Sequence, residues 1–445
     1  MKHILNHPLG LKFALVLLLF LLLQIPLSMV SGLISERTLR QDTVRSDIAR
    51  SSSGPQRIIG PFIHITYTES RFHNETLHVT ERQHVLLPDT FNLGAELDSF
   101  EKYRGIYRAR LYHAQTRLTG HFDLSELDAL RGHDINDIRL VVGIEDSRGL
   151  MTLGDMRVAN HAIEVFPGTG LSAISQGFHQ PLDLAKLDTH QPLTFDLQFL
   201  LQGMGKLQVA PIGDQSRVEL RSSWPHPSFI GDYLPVTAQV AESGFEAQWQ
   251  SNNFSTNMAQ LLRNCLTGDH QCYELEQRQM GVDLIDPVDH YLKSHRATNY
   301  SLLVITLVFA SFFLLELFQA RPVHPVQYGF VGLALALFYL LLISMSEHLG
   351  FNWAYGLSAL ASTSLLSIYV TGMLQRRAHG VIFGGGLLLL YGLLFGLLQA
   401  ESYALLMGTL LCFTILSFVM ILTRHIDWYR RHPARPHSDV DHERS

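Results

Sequence analysis

From residue 300 to residue 423 the chain reads as five hydrophobic stretches joined by very short connections: 301–320, 326–345, 353–374, 381–398 and 403–422. Each is close to the ~20 apolar residues that cross a bilayer core. The connections alternate in charge. The loop around Arg321 is basic and holds Pro322 and Pro325, whereas Ser346-Glu347-His348-Leu349-Gly350 has no Lys or Arg. Arg376 and Arg377 follow, then the acidic Gln399-Ala400-Glu401-Ser402, then a tail opening with Arg424, Arg430, Arg431 and Arg435. Lys and Arg are retained on the cytoplasmic side, so this alternation sets the side on which each loop lies.

A further apolar stretch, 11–30, opens the chain. Lys2 and Lys12 in front of it and the small residues Ser28, Ser31 and Gly32 behind it also fit a cleaved signal peptide. Its length favours a retained anchor. Six spans then place both termini in the cytoplasm and residues 32–299 outside it. Arg37, Arg40, Arg45 and Arg50 run against the charge rule, but long domains are exported largely regardless of charge. Tyr300, Trp353, Tyr403, Trp428 and Tyr429 stand near the predicted edges, as interfacial aromatics do.

The expected organisation is a cytoplasmic N-terminus with its anchor at 1–31, an exported domain at 32–299, five spans at 300–423 and a basic tail at 424–445. Residues 33–50 continue the first helix until Ser52-Ser53-Gly54-Pro55 breaks it. Beyond that the pattern is β. Segments 57–68, 76–87, 105–118, 138–144, 193–201, 207–210 and 218–222 are strand candidates, punctuated by Gly and Pro. In the third of these, Ile106, Arg108, Arg110 and Tyr112 share one face. The fold class is therefore an α+β membrane protein: an N-terminal anchor, a sandwich-like β-rich periplasmic domain and a C-terminal five-helix bundle. Trp224, Phe229 and Tyr233, set among prolines, read as an ordered, packed loop.

Cys265 and Cys272 fall in the exported domain, where an oxidising compartment favours a disulfide, while Cys412 lies inside a span. The 23 histidines show no ligand spacing, and neither a zinc motif nor a phosphate loop is present. No cofactor, metal or catalytic constellation is expected, and a net charge of −6 without a basic block argues against nucleic acid. The ionisable groups of interest are Glu316, Glu347 and His348, because charge inside a span is expensive and tends to mark a partner or a polar path. Each also lies within about a turn of an interface, and Arg321 is placed to neutralise Glu316. Ser358, Ser362 and Thr363 in the fourth span, and a GxxxG at Gly392 and Gly396 in the fifth, fit close helix packing.

The segment Arg321-Pro322-Val323-His324-Pro325-Val326-Gln327-Tyr328 resembles the CreD family of bacterial inner-membrane proteins. So do the stretches 337–344, 346–351, 390–392, 397–399, 403–406 and 423–429. Outside the spans, 54–55, 105–107, 218–224, 227–229 and 287–291 also look like family segments, so the resemblance covers nearly the whole chain. It implies a bacterial cell-envelope integrity protein linked to a two-component regulatory system, to colicin tolerance and to envelope-stress and β-lactam responses. It also implies a retained first span. It carries no catalytic residue or ligand to any position here. The expected role is binding or scaffolding by the exported domain, with membrane lipids and periplasmic or envelope proteins as partners. The alternative is a transporter or lipid-handling protein that uses Glu316, Glu347 and His348. The oligomeric state stays open.

Overall fold

The structure is a computed structural model that describes residues 8–73, 76–130, 132–183, 187–267, 272–286, 290–319, 323–399 and 404–424. The chain forms two compact units, Ser35–Asp289 and Met1–Ile34 with His290–Ser445. Helix α1 (Pro8–Ser51) contributes to both, and it ends at the predicted Ser-Ser-Gly-Pro break.

The β-rich unit holds two eight-stranded sheets around one apolar core. The first sheet contains β1 (Gln56–His73), β2 (Thr76–Leu86), β5 (Asp134–Ile144), β8 (Phe166–Pro167), β9 (Gly177–Pro181), β11 (Lys206–Val209), β13 (Pro227–Ile230) and β16 (Met280–Leu284). The second contains β3 (Thr90–Arg104), β4 (Tyr107–Phe122), β6 (Leu150–Val158), β7 (His161–Ala162), β10 (Leu193–Met204), β12 (Gln215–Ser222), β14 (Thr237–Ala241) and β15 (Gly244–Asn252). Pairing is antiparallel apart from β1 with β11 and β12 with β3.

Alternation drives the packing. Along β3, Phe91, Leu93, Ala95 and Leu97 are buried while Asn92, Gly94, Glu96 and Asp98 are exposed, so one face joins the core and the other meets water. Two short helices, α2 (Asn253–Thr256) and α3 (Met258–Thr267), follow β15; α3 turns Met258, Leu261, Leu262 and Cys265 into the core. A further short helix, α4 (Tyr273–Gln277), adds Leu275. The segment from Trp224 to Tyr233, expected as a loop, contains strand β13 and is a packing element. Phe229 meets Trp249 at 5.7 Å, and the Trp224 indole donates to the Ile285 carbonyl at 3.0 Å under the Arg110 guanidinium. Arg108 and Arg110 both pair with Glu101 across the β3–β4 hairpin.

The helical unit contains α5 (His290–Asn299), α6 (Ser301–Gln319), α7 (Pro325–Leu349), α8 (Phe351–Leu374), α9 (Arg377–Gln399) and α10 (Ala404–Thr423). Its outward positions are apolar: Leu337, Leu360, Ile368 and Leu389 are exposed, as lipid-facing residues are. Among the described residues four helices are long and apolar enough to cross a membrane: Ala14–Ser51, Pro325–Leu349, Phe351–Leu374 and Arg377–Gln399. The pair His290–Asn299 and Ser301–Phe313, bent by 42°, makes a fifth if it is one span. The six expected spans coincide with α1, α6, α7, α8, α9 and α10, of which the described residues qualify four, or five with the bent pair. The predicted last span coincides with α10, in which several side chains lie outside the described residues.

Close packing of the helices includes Ser358, Ser362 and Thr363, which are buried as expected, and also two glycines the sequence did not single out. A Cβ on Gly380 or Gly384 would collide with Thr371 or Ser367, so α8 and α9 meet there. No described atom lies within 4 Å of a Cβ on Gly392 or Gly396. Among the described residues the GxxxG is therefore not a helix contact. Gly332 admits Leu23 of α1 against α7.

Candidate functional site

The family-like segment builds a helix start. His324 caps α7: its ring accepts from the Val326 amide at 3.3 Å while the Gln327 side chain accepts from the His324 amide at 3.0 Å. This reciprocal pair, with Pro325 in the first turn, satisfies amides that would otherwise be orphaned. Tyr328 is fully buried against Phe309 and Phe312, at 5.6 and 5.9 Å. His324, Pro325, Gln327 and Tyr328 thus hold architecture. Arg321 and Pro322 lie outside the described residues, as does the side chain of Glu316.

Glu347 is half-buried near the end of α7 and accepts from the Tyr291 hydroxyl of α5 at 3.1 Å. Around it, the Phe351 amide donates to His290 at 3.3 Å, and Gln399 links Lys293 at 3.2 Å to Asn352 at 3.0 Å. One end of the α7–α9 group is therefore closed by a polar layer on α5. His348 points outward and is exposed. Beneath this layer, the Tyr355 hydroxyl donates to the Tyr391 carbonyl at 2.7 Å, and Ser362 meets the Tyr391 hydroxyl at 3.1 Å. The buried hydroxyls of Tyr339, Ser358 and Thr363 have no partner among the described residues.

The β-rich unit carries a different kind of surface. The outer face of its second sheet is polar, and registers align its side chains in rows. One row runs Glu219, Gly94, Arg117, Gln198 across β12, β3, β4 and β10. The next runs Arg221, Glu96, Gln115, Leu200, Thr152, ending on β6. Gly94 leaves the first row without a side chain, and a depression of 670 Å³, bordered on β6 by Gly154, opens there. A Cβ on Gly94 would meet nothing within 4 Å. The flanking charges are held by their own partners. Arg117 grips Asp196 with two bonds, at 2.9 and 2.7 Å, and this guanidinium keeps the Asp196 carboxyl below the usual carboxylate range. Arg221 pairs with Glu219 and, at 3.1 Å, with Glu246. Sequence reasoning missed this face. Neither β3 nor β6 was among the expected strands, although the alternation of Phe91, Leu93, Ala95 and Leu97 was there to find.

Cys265 and Cys272 are bonded, with Cα atoms 4.4 Å apart. They border a 210 Å³ cavity beside Arg57, whose guanidinium bridges Glu145 at 3.4 Å and Glu276 at 3.2 Å. Closing so short a loop contributes about 2 kcal/mol through the unfolded chain. Cys265→Ser is expected to lower stability by that order. With Cys412→Ser as background, the unreduced chain should take up no maleimide until it is reduced and denatured; uptake before reduction would contradict the bond. Among the described residues no group of His, Cys, Asp and Glu is arranged to hold a metal ion.

Known proteins agree on the kind of molecule this is. The chain matches the family described as "Inner membrane protein CreD" over residues 8–429. It is 37% identical over 418 residues to inner membrane protein CreD of Escherichia coli (strain K12), covering 92% of this chain and 91% of that protein. With its apolar helices, its β-rich unit and this match along nearly its whole length, the chain belongs to the CreD family of membrane-embedded inner membrane proteins.

Proposed function

We propose that this protein supports the cell envelope by binding, through a β-rich unit held outside the cytoplasm on a membrane-embedded helical unit. The alternating basic and non-basic loops support that orientation, with both termini cytoplasmic. A disulfide in the β-rich unit fits an oxidising compartment. The observation that carries the binding role is the outer face of the second sheet. It is an open polar surface with a preformed depression whose Arg117 and Arg221 are fixed by partners of their own. Fold alone would not license this reading, so it rests on that surface. The test is crosslinking in cells from photoreactive residues placed at Gln115 and Thr152. Capture of an envelope component at these positions, and not at Thr237 on the edge strand β14, is expected. Equal capture from both places would remove the face as the binding surface.

A second reading has its own observation. The polar layer at Glu347 lies over buried hydroxyls that have no partner among the described residues, an arrangement a polar path through the helices would need. The discriminating measurement is envelope-stress survival of a deletion strain carrying Glu347→Gln at normal expression. Binding by the β-rich unit predicts full rescue, because an amide still accepts from Tyr291. Loss of rescue would move the mechanism into the helical unit.

A further inference from the structure

We infer that the depression in the outer face of the second sheet binds a neutral glycan strand. This inference deepens the binding role proposed above and rests on it. Its first support is charge. Arg117 is neutralised by Asp196, and Arg221 by Glu219 and Glu246, so the depression offers no free positive charge to a phosphate-bearing ligand.

Its second support is the type of group. Amide, carboxylate and guanidinium ends are planar and two-pronged, and a sugar hydroxyl both donates and accepts. Adjacent hydroxyls on a ring can bridge a donor such as Gln115 or Gln198 and an acceptor such as Glu96. Glu96 sits between Arg221 and Gln115 in register, yet makes no hydrogen bond or ion pair of its own among the described residues. It is exposed and available to accept.

Its third support is shape. The depression spans β12, β3, β4, β10 and β6, about 19 Å at the usual strand spacing. That is long enough for a short run of sugar rings. It lies on a sheet face, so the main-chain pairing by which extended peptides add to a sheet is not on offer. Leu200 is the one aliphatic side chain of its row, so an acyl chain has few apolar side chains to lie against. Because Arg117 and Arg221 are already anchored, the surface is ordered before a ligand arrives.

The structure supplies a clean way to close the site. Gly94 has ordinary backbone geometry and open space where a side chain would stand, so Gly94→Phe should fill the depression without disturbing the fold. The experiment is calorimetric titration of the full chain in nanodiscs with two neutral probes, cellotetraose and the β-1,4-linked tetramer of N-acetylglucosamine. Inorganic phosphate and a sulfated polysaccharide serve as anionic comparisons. Expected are binding of at least one neutral tetramer, a loss of tenfold or more in affinity for Gly94→Phe and for Glu96→Ala, and no change for Gln239→Ala on β14. Thermal unfolding checks that each variant is folded. Tighter binding of the anionic probes, or no binding of either neutral tetramer, overturns the glycan assignment. Survival of a deletion strain under envelope stress then separates the two levels of the argument. If Gly94→Phe abolishes rescue while neither tetramer binds, the face keeps its binding role and the glycan falls. If Gly94→Phe rescues fully, the face loses its role and both fall.

Discussion

Replacing Trp249 by alanine is expected to destabilise the β-rich unit by about 3–5 kcal/mol, the range for removing a buried indole. Trp249 is fully buried on β15, opposite Val218, with Phe229 edge-on at 5.7 Å and its indole donating to the Tyr233 carbonyl at 3.0 Å. The truncation removes the ring from the core and leaves that carbonyl without its donor. It also loosens the segment from Trp224 to Tyr233 around β13, which these contacts help to hold. Trp249→Phe should cost less, because most of the ring volume stays and only the hydrogen bond is lost. Denaturant unfolding of the full chain, followed by near-ultraviolet circular dichroism, reads both. A change below about 1 kcal/mol for the alanine variant would mean that the core closes over the gap, against the packing described here.

The second large effect is expected at Asp146, where the end of α1 meets the β-rich unit. Its carboxylate accepts from the Gly54 amide at 2.9 Å and from the Arg148 amide at 3.1 Å, and the Arg148 guanidinium grips it at 2.9 and 2.7 Å. The buried side chain of Gln56 ties the Asp146 backbone to the Gln202 carbonyl, at 3.0 and 2.8 Å, and Gln202 in turn reaches Ser52 and Ser53. Both sheets and the residues after α1 share this network. Asp146→Ala leaves several of these donors unmatched, and about 2–4 kcal/mol of destabilisation is expected.

The pH dependence has a definite sign. Burial alone would raise the Asp146 carboxyl, but the Arg148 side chain and then the Gly54 and Arg148 amides outweigh it, and the group titrates below the usual range. Its contribution is therefore complete above the ordinary carboxylate pKa and is lost as pH falls through the depressed native value. Asp283 and Asp214 act oppositely. Burial raises both; Asp89 and Glu126 add to the rise at Asp214, while Lys206 and Arg45 oppose it at Asp283. Their charged forms weaken the fold at neutral pH and are relieved in acid. The stability difference between the wild-type chain and Asp146→Ala isolates the first effect. It should be constant above about pH 5 and shrink below about pH 4. A difference that stays flat through acid would show that the carboxylate charge is not what holds the network.

Much of the architecture was legible because it follows from solvent. Apolar runs of bilayer length and the 52–55 break set the helices, including the abrupt end of α1. β-branched and aromatic segments set β1, β2, β4, β5 and β10 close to their observed bounds. β3 escaped because Asn92, Gly94, Glu96 and Asp98 dilute its apolar half, and β6 because most of its residues face water. The glycine that opens the depression has no signature along the chain. Gly94 matters only because Glu219 and Arg117 stand beside it from strands far away in sequence. His324 and Gln327 are similar: their residue types hint at a cap, but the reciprocal bonds appear only in the folded turn.

The sequence by itself determined the division into apolar helices and a β-rich unit, because hydropathy and alternation are local properties that water and lipid act on directly. It also determined the charge pattern of the loops. Only the tertiary structure decided that α8 and α9 meet at Gly380 and Gly384 and not at the GxxxG, that α5 brings Tyr291 to Glu347, and that two rows of polar side chains flank an empty place on one sheet. The physical reason is that a contact between distant segments depends on register and rotation, and these are fixed by packing the whole core at once.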